Sequence, residues 1–177
     1  GRWNRAQMDT PWGRGHLGRV ALVDAGETGL AASAKQYELA LRLRGKTLRV
    51  LGIGAVLTPP DRRGRGYARQ LIDSMIDAAR DTHAIALLFS EIGSTYYERL
   101  GFQVVPQQVA SIEAVYRPGA PAVLVRSGEA ADLAAIAEIA ARADAGAACA
   151  LERPADLMAF FLARKRLHAG LGPAGVR

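Results

Sequence analysis

Leu51 to Ala79 reads LGIGAVLTPPDRRGRGYARQLIDSMIDAA. An apolar run enters a Pro59-Pro60 corner and passes through Arg62-Arg63-Gly64-Arg65-Gly66-Tyr67-Ala68. It leaves in a stretch with apolar residues at Ala68, Leu71, Ile72, Met75, Ile76 and Ala79. Proline supplies no ladder donor, so the proline pair ends a strand. Spacings of three and four place the later apolar residues on one helical face, which predicts a helix over Tyr67–Arg80. The loop therefore lies where a strand hands over to a helix. A helix start leaves backbone N–H groups without internal partners, and the macrodipole makes that end positive. Gly64 and Gly66 lack a Cβ and let a ligand approach the backbone closely. With arginines at 62, 63 and 65, the stretch reads as an anion cradle suited to a pyrophosphate.

Outward from this stretch the chain reads as alternating extended and helical segments. Leu48–Thr58 is a nearly continuous apolar strand, and Gly52 and Gly54 within it predict a bulge or a close backbone approach. Ala84–Phe89 is a second apolar strand; strand, helix and strand form a crossover, so the two strands are parallel neighbours. Upstream, Leu30–Arg44 sets Tyr37, Leu39, Leu41 and Leu43 against Glu38, Arg42 and Arg44, the alternation of a half-buried antiparallel strand. Arg19–Ala25 is its predicted partner across the Ala25–Gly29 turn, and residues 1–15 read as an irregular arm. Gly13-Arg14-Gly15-His16-Leu17-Gly18 matches a dinucleotide pattern in letters only, because no strand is predicted before it and no helix after it.

Downstream, Ser94 is placed to cap a helix over Thr95–Leu100 that stops at Gly101. Phe102–Val105 and Val109–Val115 read as short strands, Tyr116–Pro121 as a linker, and Ala122–Val125 as a strand. A helix follows from Ser127 to Arg142, with Leu133, Ile136, Ala137 and Ala140 on one face. Pro154 opens another through His168, with Leu157, Phe160, Phe161 and Leu167 inward, and Gly170–Arg177 reads as a frayed end.

Half of the 177 residues are hydrophobic, enough for a sizeable core, and no apolar run approaches the length of a membrane span. No basic-then-apolar leader opens the sequence, and the single cysteine, Cys149, read as a small core residue, suits a reducing cytoplasm. The formal charge of +6 is compatible with nucleic acid, acidic lipid or a polyanionic cofactor, but the arginines are dispersed outside the opening loop. Phosphate-loop chemistry needs Gly-Lys-Ser/Thr, which is absent. His16, His83 and His168 stand alone, without the spacing of metal ligands, and no serine has the glycine flanks of a hydrolase elbow.

These motifs resemble the GCN5-related N-acetyltransferases. The family signature Arg/Gln-x-x-Gly-x-Gly/Ala is matched by Arg63-Gly64-Arg65-Gly66-Tyr67-Ala68, and Val56-Leu57-Thr58-Pro59-Pro60 matches its strand-end approach. A second motif, aromatic-Tyr-Glu-x-Leu-Gly-Phe, is matched by Tyr96-Tyr97-Glu98-Arg99-Leu100-Gly101-Phe102. The resemblance covers residues 16 to 116. It implies an α/β (α+β) fold with a mixed, mostly antiparallel sheet and a strand–loop–helix unit for acetyl-CoA; the C-terminal strand with two helices is read from the residues themselves and departs from the family pattern. It implies acetyl transfer to a primary amine by direct attack. Backbone groups of Arg63, Gly64, Arg65, Gly66, Tyr67 and Ala68 would hold the pyrophosphate, and those of Val56, Leu57 and Thr58 the pantetheine arm and thioester carbonyl. Tyr97 falls on the family's general acid, and Glu38 and Glu91 are candidate bases.

Members usually begin with a strand and two helices on the acceptor side, which residues 1–15 are not read as supplying. Residues 1–118 are thus expected to form the cofactor-binding core. Residues 119–177 start a second domain or replace the missing part, and the order of segments is similar to two-domain fungal lysine and bacterial enhanced-survival acetyltransferases. The expected partner is a small-molecule or protein amine, with no metal, nucleic acid or membrane; a homo-oligomer is left open. An acyl-CoA-binding module without turnover and a basic nucleic-acid-binding domain are the rival readings.

Overall fold

In the computed structural model, residues 2–24, 26, 29–106, 111, 113, 118, 119 and 128–168 are described. The expected Val109–Val115 and Ala122–Val125 strands, the body of the 116–121 linker, the Ser127 cap and the frayed tail fall largely or wholly outside them. Two compact units arise, one from residues 1–89 with 129–177, the other from residues 90–128.

The larger unit is built on a mixed, mostly antiparallel sheet. Strands β1 (Leu17–Val23), β2 (Leu30–Leu43), β3 (Lys46–Leu57) and β4 (Ile85–Leu88) follow one another in that order. The β2–β3 hairpin turns on Arg44 and Gly45, both at positive φ, as a tight hairpin requires. β3 and β4 pair in parallel from Val50↔Ile85 to Ile53↔Leu88, as the crossover predicts. Helix α3 (Tyr67–Ala79) supplies that crossover and buries Leu71, Ile72, Met75 and Ala79 against β1, β2 and β3.

A strand that the periodicity did not reveal, β5 (Cys149–Leu151), pairs antiparallel with Leu41–Leu43 of β2, beyond the point where β1 ends. Three residues are too few to show a period. β5 is fixed instead by the Arg44 N–H donating to the Ala148 carbonyl at 2.8 Å and the Glu152 N–H donating to the Ala40 carbonyl at 2.9 Å. Cys149 is consequently exposed, which corrects its reading as a core residue.

Residues 2–16 correct the expectation of an irregular arm lacking helices. They form α1 (Arg2–Met8) and α2 (Pro11–His16). Thr10 caps α2, its Oγ1 accepting from the Gly13 N–H at 3.0 Å, with Pro11 in the first turn. Gly13, inside α2, is required by close approach: a Cβ there would lie 2.0 Å from the Gln7 carbonyl oxygen. Trp12 packs with Leu17, and with Leu157 and Phe160 of α6 (Ala155–His168). Phe160 stands edge-on to Tyr37 at 6.2 Å between centroids. Phe161, expected inward, is 38% exposed, because the buried stripe passes through Leu157 and Phe160. Helix α5 (Leu133–Ala143) half-buries Leu133, Ile136, Ala137 and Ala140, the face that its spacing predicts.

In the smaller unit, α4 covers Thr95–Glu98 and the chain turns at Gly101 with φ 88°. Ser94 stands before α4 but makes no side-chain cap, its backbone being already helical. Residues 102–106 form no strand, contrary to the periodicity.

Because Phe160 is fully buried against Trp12 and Tyr37, Phe160→Ala should cost about 3–5 kcal/mol in a urea unfolding curve. Gly52→Ala should cost about 1–3 kcal/mol, since its Cβ would meet Leu39 Cδ1 at 2.8 Å and Tyr37 Cβ at 2.9 Å.

Candidate functional site

The end of β3 carries an irregularity. Lys35 faces Gly54 and Ser33 faces Leu57, so two steps on β2 span three on β3. The extra residue falls at Ala55–Val56, and Ala55 takes the left-handed conformation with φ 49°. This is a β-bulge, as Gly52 and Gly54 foretold. It changes which backbone groups face outward. Odd-numbered residues of β2 exchange hydrogen bonds with β3, beginning at the hairpin pair Leu43↔Lys46. Ser33 therefore engages Leu57, and the N–H and C=O of Val56 point to the other edge. On that edge β4 pairs only as far as Ile53, so among the described residues no strand covers Gly54–Leu57.

The chain then turns through Pro60–Arg62, the Arg62 N–H donating to the Pro59 carbonyl at 2.9 Å. Arg63 Nε donates back to the Thr58 carbonyl at 3.3 Å and closes the loop. Thr58 Oγ1 is buried and has no hydrogen-bond partner among the described residues. Gly64 and Gly66 sit at φ 78° and 80°, where only glycine rests without strain, and a Cβ on either would meet nothing within 4 Å. Gly66 is the N-cap of α3, with no side-chain cap and no acidic residue in the first turn. The positive end of α3 thus opens onto a loop with room beside it.

Tyr67 Oη donates to Asp24 Oδ2 at 2.5 Å, and the Gly26 N–H donates to Asp24 Oδ1 at 3.1 Å. The Tyr67 hydrogen bond, the Gly26 N–H and the charges of Arg62 and Arg65 hold the Asp24 carboxyl below its ordinary range; the Asp24 bond holds the Tyr67 phenol above its own. The Arg62 side chain is only 12% exposed and lies against the β1–β2 turn.

Glu38 is drawn into a different cluster. His83 Nε2 stands 2.7 Å from Glu38 Oε2, Arg49 Nη2 donates to that oxygen at 3.3 Å, and Gln36 Nε2 donates to Oε1 at 3.3 Å. Burial works to raise the Glu38 pKa, but the His83, Gln36 and Arg49 contacts outweigh it and the net shift is downward. His83 Nδ1 is taken by Thr82 Oγ1 at 2.9 Å. The cluster ties the α3–β4 connection to β2.

In the smaller unit, Tyr97 stacks edge-on with Tyr96 and Phe102, at 5.1 and 6.0 Å between centroids. Its backbone carbonyl accepts from the Leu100 and Phe102 N–H groups at 2.9 and 3.1 Å, which fixes the Leu-Gly-Phe turn on the tyrosine. Burial raises the phenol pKa above 10, against a lowering hydrogen bond with Ser90, so Tyr97 is a protonated donor at neutral pH. Glu91 is exposed in the same unit.

Residues 12–105, more than half of the chain, match the acetyltransferase (GNAT) domain family. The chain belongs to the GNAT acetyltransferases. Among solved structures, a mutant Bacillus halodurans protein is similar at 15% identity, covering 62% of this chain and 71% of that one, with a TM-score of 0.49. A Trypanosoma brucei acetyltransferase is similar at 23% identity, covering 56% and 71%, with a TM-score of 0.45. Glucosamine-6-phosphate N-acetyltransferase from Arabidopsis thaliana is similar at 15% identity, covering 55% and 67%, with a TM-score of 0.46. No curated protein sequence matches the chain. GNAT domains use acetyl-CoA and act on small-molecule or protein amines in general, so acyl transfer is the chemistry of this family.

In this GNAT domain Val56, Leu57, Thr58 and Arg63–Ala68 lie along one strand–helix junction, from the end of β3 to the start of α3. Glu38 is held on β2 by His83, and Tyr97 and Glu91 belong to the other unit. Asp24 and His83 were missed from sequence. Only the turn signal at 25–29 pointed near the first, and nothing local marks the second. Among the described residues no cluster of His, Cys, Asp and Glu could hold a metal, and no helix is long and apolar enough to cross a membrane.

Glu38→Gln should cost about 1–2 kcal/mol of stability at neutral pH. A carboxylate whose folded pKa lies below its ordinary 4.5 stabilises above that value and loses the contribution as pH falls through the folded pKa. The gap between wild type and variant should therefore close in urea titrations taken progressively below pH 4.5.

Proposed function

We propose that this chain is an N-acetyltransferase that moves an acetyl group from acetyl-CoA to a primary amine by direct attack. The observation that carries the reading is the junction of β3 and α3: an uncapped helix start, two left-handed glycines with open space beside them, and an outward-facing strand edge leading into them. The residues present fit the coenzyme. The buried Thr58 hydroxyl has no hydrogen-bond partner among the described residues, and that pairing is available to a polar arm laid along the edge.

Acetyl-CoA supplies an activated thioester. The backbone N–H groups of Arg63 to Ala68 bind the pyrophosphate in this reading, and Arg63 and Arg65 add charge around it. Backbone groups of Val56 to Thr58 orient the arm and donate to the carbonyl where negative charge develops, each donor contributing on the order of 3 kcal/mol. Tyr97 Oη gives its proton to the departing sulfur, a role that rests on the motif and on a phenol held protonated. Glu91 and Glu38 are the candidate bases for the amine. The low pKa and full set of partners of Glu38 suit a structural tie better than proton uptake, which favours Glu91.

The division at residue 118 belongs to the same proposal. The Leu157–Phe160 face of α6 against Trp12 and the pairing of β5 with β2 support the version in which the C-terminal segment completes the domain within one chain.

Saturating acetyl-CoA should raise the melting temperature by about 5 °C, and Gly66→Glu, which places a carboxylate in the cradle, should abolish the shift. Thiol release with a panel of primary amines should fall about 100-fold in Tyr97→Phe. No melting shift in wild-type protein would remove the coenzyme reading; a shift without thiol release would leave a binding module.

A further inference from the structure

The Asp24 carboxylate is an unusual neighbour for an anion site. It stands within hydrogen-bond reach of Tyr67, the first residue of α3, and close enough to Arg62 and Arg65 for their charges to act on it. A carboxylate there repels a phosphate and weakens the pull of the two arginines. Charge attraction alone therefore gives no reason for it.

Its geometry does. Oδ2 accepts the Tyr67 hydroxyl at 2.5 Å, while Oδ1 accepts the Gly26 N–H at 3.1 Å, so the carboxylate is oriented by the β1–β2 turn and in turn holds the phenol. Tyr67 directly follows Gly66 and is the residue at which α3 begins. The loop before it contains Gly64 and Gly66, both left-handed, and α3 has no side-chain cap. Glycines give a loop conformational freedom that must be lost on binding unless another contact removes it beforehand. Arg62 reinforces the junction: its guanidinium lies 3.3 Å from where a Gly29 Cβ would stand.

We propose that Asp24 is a positioning residue for coenzyme binding: through the Tyr67 hydroxyl it anchors the start of α3 to the β1–β2 turn and preorganises the pyrophosphate loop. The proposal rests on the coenzyme reading of that loop given above. The Asp24 carboxylate touches no phosphate; it fixes the residue whose backbone does.

The test is calorimetric titration of CoA into the full chain for wild type, Asp24→Ala, Asp24→Asn, Tyr67→Phe and the Asp24→Ala/Tyr67→Phe pair. Asp24→Ala and Tyr67→Phe should each weaken CoA binding about tenfold, and the pair should fall well short of the product of the two losses, because the Asp24–Tyr67 contact is common to both. Asp24→Asn keeps an acceptor for the phenol and should fall between wild type and Asp24→Ala. In turnover, KM for acetyl-CoA should rise while KM for the amine does not, a split that general loss of structure would not give. Tyr67→Phe keeps the ring and decides the matter if Asp24→Ala does not fold. Wild-type affinity in folded Tyr67→Phe, tighter binding in Asp24→Ala, or additive losses in the pair would overturn the proposal while leaving the coenzyme reading intact. Absence of CoA binding by wild type would instead overturn that reading.

Discussion

The extra residue at Ala55–Val56 governs what the rest of the domain can present. A regular β3 would pair Val56 with Ser33 and spend its backbone groups on β2. The bulge shifts the pairing to Leu57 and turns Val56 toward the edge that β4 leaves open beyond Ile53. The conformation is costly, since Ala55 is a non-glycine at φ 49°, by roughly 1–2 kcal/mol. It persists because β2 pins β3 on both sides of it: Lys35 on Gly54 and Tyr37 on Gly52 before the bulge, Ser33 on Leu57 after. An open edge and the uncapped start of α3 then follow one another along a few residues of chain.

Holding that edge in place is the task of the remaining elements. The two faces of β2 do different work. Tyr37 and Leu39 pack toward Trp12, Leu157 and Phe160, which joins α2 and α6 through one apolar cluster. Glu38, on the opposite face, takes His83 and Arg49, so the connection that leads out of α3 into β4 is tied to the same strand. At the other end of the sheet the Asp24–Tyr67 bond ties the entry to α3. The two ends of the crossover are thus fastened by side-chain hydrogen bonds, one to the β1–β2 turn and the other to β2, and the apolar face of α3 fills the space between. β5 extends this anchoring, with Arg42 Nη1 donating to the Ala147 carbonyl at 3.2 Å and Nη2 to that of Asp144.

What the sequence made legible followed from local rules. The strand–loop–helix unit was readable because apolar runs, prolines and glycines act within a few residues of one another. The parallel β3–β4 pairing followed from crossover topology, and Gly54 marked the bulge to within one residue. The failures were tertiary. Residues 1–15 read as an irregular arm, yet they hold two helices, and Gly13 is the residue that lets α2 approach the Gln7 carbonyl. Cys149–Leu151 was too short to show a period and exists through its pairing with β2. Phe102–Val105 had strand propensity but forms no ladder. Glu38 was singled out as an acid–base candidate because nothing local predicts that His83, far along the chain, arrives beside it. Asp24 was hidden for the same reason: its importance depends on Tyr67, which sequence distance separates from it.

The most direct test of the account is backbone hydrogen exchange with and without acetyl-CoA. The outward N–H of Val56 and the N–H groups from Gly64 to Ala68 should become protected together when the coenzyme is present, while those of the β2–β5 pairing stay as they were. Unchanged exchange at Val56 and at Gly64–Ala68 under saturating coenzyme would contradict it.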